Sequence, residues 1–223
     1  MAVERAARLA RIVDHGFDTR SLFLDLPEPL RFAPGQFVSC LLPGPSGVLT
    51  KPYSIASDPE APAAIELLLN LVPGGGASAY LFSLRPGATV RYTGPWGTFT
   101  LERAPDAEVV FVADGTAVAP IRPMLRRALA TATRPVTLLY GLPAPGAMLY
   151  ADELRAPAAP HGYALVAIPS ADLEAEVRRR FVDADDDRRR HFFVCGVGDR
   201  VHRLRDLLRA AGYERRAVRY ERW

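Results

Sequence analysis

The sequence predicts two domains of different class: an N-terminal antiparallel β-barrel of six strands in Greek-key order, and a C-terminal α/β domain built on a doubly wound parallel sheet. Three observations predict it. The first half consists of short β-rich runs broken by proline and glycine turns. Beyond Leu101–Ala107, strands alternate with helical stretches. The length of 223 residues, with 49% hydrophobic and 24% charged content, suits one large or two modest globular domains.

In the first half the expected strands are Ala7–Val13, Ser21–Leu26, Gln36–Leu42, Pro52–Ala56, Ile65–Leu71 and Thr89–Tyr92. Turn residues separate them at Pro27–Pro29, Pro34-Gly35, Pro43-Gly44-Pro45, Asp58-Pro59, Pro73–Gly76 and Pro86-Gly87. Six short strands with such punctuation favour a small closed barrel. One short helix fits at Ala77–Ser83, after the glycine run.

In the second half, Glu108–Ala113, Pro135–Tyr140, Tyr163–Ile168 and His191–Cys195 read as strands, with Arg216–Tyr220 as a last one. Helices are expected over Val118–Ala130, with Pro120 in the tolerant first turn, over Leu173–Phe181, and over Asp199–Ala211 before Gly212. The expected domains are 1–103 and 104–223. No internal repeat is present.

Composition removes several classes of function. A net charge of +3 gives no footprint for nucleic acid. The apolar stretch Ala64–Val72 is too short for a bilayer and is broken by Glu66 and Asn70. Met1-Ala2-Val3-Glu4-Arg5 lacks the apolar core of a signal peptide, so the expected location is cytoplasmic. Cys40 and Cys195, the only cysteines, build neither a disulfide framework nor an iron–sulfur site. His15, His161, His191 and His202 show no metal spacing, and no metal site is expected. The acidic run Asp183, Asp185, Asp186 and Asp187 has Arg188 where a calcium loop needs glycine, and reads as a solvated turn. Arg178–Arg180 and Arg188–Arg190 read as charged surface.

Lys51 is the only lysine, and it opens Lys51-Pro52-Tyr53-Ser54-Ile55-Ala56-Ser57. A cation, an aromatic ring and a hydroxyl on one extended segment suit a flat ligand with an anionic tail, such as a flavin dinucleotide. The ammonium can neutralise a diphosphate, and the ring can stack on an isoalloxazine. On a regular strand Lys51, Tyr53, Ile55 and Ser57 share one face and Ser54 takes the other. The run Pro73-Gly74-Gly75-Gly76-Ala77-Ser78 permits close backbone approach at a helix start, where amides hold phosphate oxygens. Val112–Pro120 joins a strand to a helix through Gly115-Thr116-Ala117 at the carboxyl edge of the expected sheet, where open α/β sheets bind ligands.

Taken in order, these segments resemble the ferredoxin–NADP reductase family. Lys51-Pro52-Tyr53-Ser54 is similar to its Arg-x-Tyr-Ser flavin motif, and Gly75–Ser78 to its Gly-x-x-Ser diphosphate motif. Gly115–Pro120 resembles its Gly-Thr-Gly-Ile-Ala-Pro nicotinamide motif, and Cys195-Gly196 its Cys-Gly motif. Gly94-Pro95-Trp96-Gly97-Thr98-Phe99 looks like the segment that closes the family's barrel. The resemblance spans nearly the whole chain.

It implies an FAD-binding barrel, a nicotinamide-binding α/β domain, and NAD(P)H as co-substrate. FAD would be held by Lys51, Pro52, Tyr53, Ser54, Gly75, Gly76, Ala77 and Ser78, with Lys51 and Gly76–Ser78 on the diphosphate and Tyr53 against the flavin. Gly115, Thr116, Pro120, Cys195 and Gly196 would line the nicotinamide site. Catalytic roles fall to Ser54 near flavin N5, to Cys195 near the hydride-transfer locus, and to Trp223, the last residue, over a flavin face. The partner would be a small electron carrier of ferredoxin or flavodoxin type, or an oxygenase component. An alternative is an electron-transfer subunit of a larger complex with an impaired nicotinamide site.

Ala117 together with Asp114 motivates that alternative, and Ala117 and Lys51 are departures from the family pattern. Ala117 replaces a glycine and brings a methyl group, and Asp114 adds a negative charge beside the turn. Lys51 replaces arginine and loses the bidentate fork. The ends of the second and third strands of the α/β domain, Gly141–Ala144 and Pro169–Asp172, carry no arginine or lysine, which leans toward NADH. Arg178 or Arg200, brought in by the fold, would reverse that lean.

Overall fold

The computed structural model describes residues 3–44, 47–156, 160–184 and 186–223. Pro45 of the third expected turn and Asp185 of the acidic run lie outside them. The chain divides into two compact units, Met1–Thr100 and Leu101–Trp223.

The first unit is a six-stranded antiparallel sheet: β1 (Glu4–Gly16), β2 (Thr19–Asp25), β3 (Phe37–Gly44), β4 (Gly47–Ser54), β5 (Ala64–Asn70) and β6 (Thr89–Trp96), in the order β4-β3-β6-β1-β2-β5. The two end strands meet. Ile55 forms a bridge with Leu67, and the Ala56 amide donates to the Glu66 carbonyl at 2.8 Å. Those bonds close the sheet into a barrel and remove most of its free edge. Strict alternation builds the interior. Along β3, Val38, Cys40 and Leu42 are buried while their neighbours are not. They join Leu9, Leu22, Leu24, Leu67, Leu69 and Tyr92 in one apolar cluster. Helix α1 (Gly76–Ser83) plugs into this cluster through Ala77 and Leu81 and packs against β3.

The second unit is a parallel sheet of β7 (Val109–Asp114), β8 (Val136–Leu142), β9 (Tyr163–Pro169), β10 (His191–Gly196) and β11 (Val218–Arg222), in the order β11-β10-β7-β8-β9. β7, β8 and β10 are apolar runs buried on both faces, as central parallel strands must be. The helices are α2 (Val118–Thr131), α3 (Ala151–Arg155), α4 (Leu173–Arg178) and α5 (Arg200–Ala210). On α5, Val201, Leu204 and Leu208 recur at helical spacing and are the buried positions. Phe192 anchors one face of the sheet. Its ring meets Phe181 edge-on at 5.3 Å and Tyr213 at 4.8 Å.

Three local features differ from the sequence expectation. β4 begins at Gly47, five residues before Pro52, because hairpin pairing with β3 from Gly44–Gly47 onward recruits Val48–Lys51. The expected helix over Leu173–Phe181 is α4 ending in a π-helical turn, Arg179–Asp183. Helix α3 was not expected. Its five residues follow Tyr150 in a left-handed conformation (φ 55°), and Glu153 is fastened by Arg122 at 2.7 Å and Arg126 at 2.8 Å. No local pattern encodes such tertiary ion pairs.

Candidate functional site

In the barrel unit, two segments expected to hold a cofactor both adjoin β3. β4 is hydrogen-bonded to β3, and α1 packs on it. Register sets the faces. Lys51 pairs with Cys40, Tyr53 with Val38, and Ser54 with Phe37. Lys51 and Tyr53 therefore share one face of β4, and Ser54 takes the other, as regular alternation requires. Lys51 and Pro52 are exposed and Tyr53 is half-buried. Burial, with Cys40 nearby, pushes the Tyr53 phenol up to about 12, so it stays a neutral hydrogen-bonding group.

Ser54 is the informative residue. It is 6% exposed, and its Oγ is buried with no hydrogen-bond partner among the described residues. An orphaned buried hydroxyl costs about 1–3 kcal/mol, so it calls for a ligand. Phe37 also pairs with Trp96 of β6, which puts Ser54, Phe37 and the half-exposed indole of Trp96 in one row across three strands. Trp96 was not among the expected site residues, although it lies inside the Gly94–Phe99 segment.

The start of α1 is a candidate anion cradle. Its N-cap, Gly75, supplies no side-chain cap, so the first amides of the helix have no side-chain acceptor. A Cβ at Gly76 would meet nothing within 4 Å, and its φ is not left-handed. The chain's own packing therefore does not require glycine at this position, and the space beside it remains open. Ala77 is buried in the barrel core. The Ser78 hydroxyl is committed to the loop: it donates to the Gly75 carbonyl at 3.1 Å and accepts from the Val72 amide at 3.0 Å. Ser78 thus shapes the cradle with its side chain and has only its backbone amide to offer. Lys51, Ser54 and the open amides of Gly76–Ser78 fit a flavin with a diphosphate tail.

In the α/β unit, topology marks the candidate site. From β7 the chain winds outward through β8 and β9, then returns to β10 and β11 on the other side of β7. The order reverses between β7 and β10, and ligands of open α/β sheets bind at the carboxyl ends of strands flanking such a reversal. Gly115-Thr116 and Cys195-Gly196 occupy those ends. Gly115 is left-handed (φ 56°), a conformation costly for other residues, and its carbonyl accepts from Tyr140 Oη at 3.1 Å. Thr116 is half-buried. Pro120 is buried within α2, so it supports the turn from behind.

The two features that motivated an impaired site are absorbed by the fold. Ala117 has φ −66°, ordinary for any residue, and is 3% exposed, so its methyl group is turned into the protein. Asp114 is ion-paired with Arg200 and accepts the Ser170 hydroxyl at 2.5 Å.

Cys195 is 1% exposed. Burial pushes its thiol up, Glu221 across the ladder adds to this, and a hydrogen bond from the Trp223 side chain pulls the other way. The Trp223 amide donates to the Gly196 carbonyl at 3.1 Å, and the Gly198 amide to the Trp223 carbonyl at 3.3 Å. The structure therefore brings Cys195, Gly196 and Trp223 together and adds Glu221. No local signal marked Glu221, because its place opposite Cys195 comes from the parallel pairing of β11 with β10. No group of three or more His, Cys, Asp or Glu able to hold a metal is found among the described residues, nor a helix long and apolar enough to cross a membrane.

Comparison with known proteins agrees with both halves. Residues 6–101 match the family described as oxidoreductase FAD-binding domain, and residues 111–202 the oxidoreductase NAD-binding domain. Ferredoxin–NADP reductase B of Sorangium cellulosum is 35% identical over 214 residues, covering 86% of this chain and 85% of the relative. The ferredoxin reductase component of 3-ketosteroid-9-alpha-monooxygenase from Mycobacterium tuberculosis is 28% identical, and the match covers 91% of this chain but 61% of that protein. The crystal structure of a ferredoxin NADP+ reductase from Neisseria gonorrhoeae with bound FAD and NADP has TM-score 0.85 at 20% identity, covering 100% of this chain and 99% of that one. The Amycolatopsis cytochrome P450 reductase GcoB has TM-score 0.86 at 25% identity, covering 100% of this chain and 71% of that one. With an FAD-binding antiparallel barrel and an NAD-binding doubly wound unit, the chain belongs to the ferredoxin–NADP reductase family and is an NAD(P)H-dependent flavoprotein reductase.

Proposed function

We propose that this chain moves electrons between NAD(P)H and a separate one-electron carrier, a ferredoxin- or flavodoxin-type protein or an oxygenase component, in the cytoplasm. The observation that carries the reading is the buried, unpartnered Ser54 hydroxyl beside Tyr53 and Lys51 in a barrel with an open helix start. Bound FAD supplies the conversion between two-electron and one-electron chemistry. The chain's residues bind and orient. Lys51 places a positive charge for the diphosphate, and the Gly76–Ser78 amides offer donors to the same group. Tyr53 gives an aromatic face, and Ser54 Oγ holds a hydroxyl ready for a ring nitrogen.

On the nicotinamide side, Gly115 and Thr116 receive the dinucleotide at the sheet reversal, and Pro120 holds their turn. Cys195 keeps a protonated, apolar surface near the hydride-transfer locus. Glu221, raised toward neutrality, holds a proton within the same group of residues. The two relatives described as ferredoxin reductases favour an iron–sulfur carrier as the acceptor. These two cysteines cannot hold a cluster, so that carrier lies outside the described units.

The test is an absorption spectrum of the purified protein followed by anaerobic titration with NADH and NADPH. A yellow protein bleached by one of them, which then reduces added ferredoxin, is expected. A colourless preparation that takes up no FAD in calorimetry would overturn the proposal.

A further inference from the structure

We infer that Asp114 sets the nucleotide preference of this chain against a 2′-phosphate, by occupying the donors such a phosphate would need. This rests on the nicotinamide reading above and goes further, to the choice between NADH and NADPH.

Asp114 ends β7, beside the reversal of strand order. Its carboxylate gathers groups from distant parts of the unit. Ser170, the first residue after β9, donates its hydroxyl to Oδ1 at 2.5 Å. Arg200, the first residue of α5, is ion-paired to Oδ2. The flanking strands leave room for this cluster. Gly141 of β8 pairs with Asp114, and a Cβ there would stand 3.1 Å from Oδ1. A Cβ at Gly196 of β10 would come within 3.7 Å of the Asp114 Cβ and 3.0 Å of Val201 Cγ2. The carboxylate is thus housed by the ends of four strands.

The chemistry follows from donor counting. A serine hydroxyl has one proton to give, and Ser170 gives it to Asp114. The Arg200 charge is balanced by the same carboxylate. A 2′-phosphate is accommodated by cations and donors near the strand ends, and the segments after β8 and β9, Pro143-Ala144 and Ala171-Asp172, contain no arginine or lysine. A phosphate brought there meets a spent hydroxyl and a guanidinium whose charge a carboxylate already balances. A ribose 2′-hydroxyl is neutral and meets no such penalty. Of the two remote cations able to favour NADPH, Arg200 is held by Asp114, and Arg178 is an exposed residue at the end of α4.

The test compares binding of AMP and 2′-phospho-AMP to the full chain by calorimetry, with stopped-flow reduction of bound flavin by NADH and NADPH in parallel. Wild type binds AMP at least as tightly as 2′-phospho-AMP and is reduced faster by NADH. Asp114→Ala frees Ser170 and Arg200 and raises affinity for 2′-phospho-AMP about tenfold, with AMP within about twofold of wild type. Adding Ser170→Ala to Asp114→Ala returns part of that gain. Asp114→Asn, which removes the charge that balances Arg200 but keeps an acceptor for Ser170, is the second variant should the first fold poorly, and it shifts the ratio the same way by a smaller factor. A wild type that favours 2′-phospho-AMP, or variants that move both ligands equally, overturns the inference alone. If neither fragment binds and neither nucleotide bleaches the flavin, the nicotinamide reading falls and this inference with it.

Discussion

Glu221 lies directly across the parallel ladder from Cys195, on β11, and just beyond that strand the Trp223 amide bonds the Gly196 carbonyl. Its Oε2 is buried with no hydrogen-bond partner among the described residues, and burial raises the carboxyl to about 7. A carboxylic acid and a thiol, both held toward their protonated forms, thus sit side by side at the carboxyl end of β10.

This pair has a pH signature. Glu221 is raised in the folded state from the ordinary carboxyl value of 4.5 to about 7, so the folded protein binds the extra proton between those values. Its contribution to stability is complete below the unfolded value and is lost as pH rises through about 7. Thermal melts of wild type and Glu221→Gln are expected to diverge between about pH 5 and about pH 8, wild type losing more stability. Parallel curves for the two proteins would count against a raised carboxyl.

Ser54→Ala should change sign with the cofactor. Without FAD, removing the orphaned hydroxyl stabilises the barrel by about 1 kcal/mol. With FAD bound, the same change removes a hydrogen bond and lowers the melting temperature instead. Melts with and without added FAD check this, and an identical shift in both would mean that the hydroxyl has no ligand.

Gly76→Ala separates packing from binding. A Cβ there meets nothing within 4 Å, so the protein without FAD keeps or gains a few tenths of a kcal/mol. FAD affinity is expected to fall about tenfold or more, because the methyl group fills the approach to the helix amides. Fluorescence titration with FAD provides the measurement, and unchanged affinity would place the diphosphate elsewhere.

Lys51→Ala should weaken FAD about tenfold without changing stability, since the side chain is exposed on β4. Lys51→Arg, with its bidentate fork, should bind FAD at least as tightly as wild type. Equal FAD affinity for all three proteins would remove Lys51 from the diphosphate site.

Ala117→Gly tests whether this turn is impaired. Because Ala117 already has an ordinary φ and a buried methyl group, the change should cost about 1 kcal/mol and leave nicotinamide turnover unimproved. A several-fold gain in flavin reduction would show that the methyl group does obstruct the nucleotide.

What the amino-acid sequence determined alone is local. Alternation along Phe37–Gly44 announces a half-buried barrel strand, and the unbroken apolar runs of Val109–Ala113 and Phe192–Cys195 announce central parallel strands. Glycine before a helix, at Gly75–Gly76 and at Gly115, marks candidate approaches for a ligand in the sequence, and the fold separates their reasons: Gly75 is crowded by Val72, Gly115 is left-handed, and Gly76 has open space beside it. Tertiary structure decided what depends on distant partners. Asp114 reads in sequence as a charge opposing a dinucleotide, and only the fold brings Ser170 and Arg200 to it. Glu221 reads as one more acid in an arginine-rich tail until parallel pairing sets it against Cys195 and strips its water. Residue type and spacing encode propensity and periodicity, whereas charge pairing, desolvation and the orphaning of a hydroxyl are set by what the folded chain places within a few ångströms.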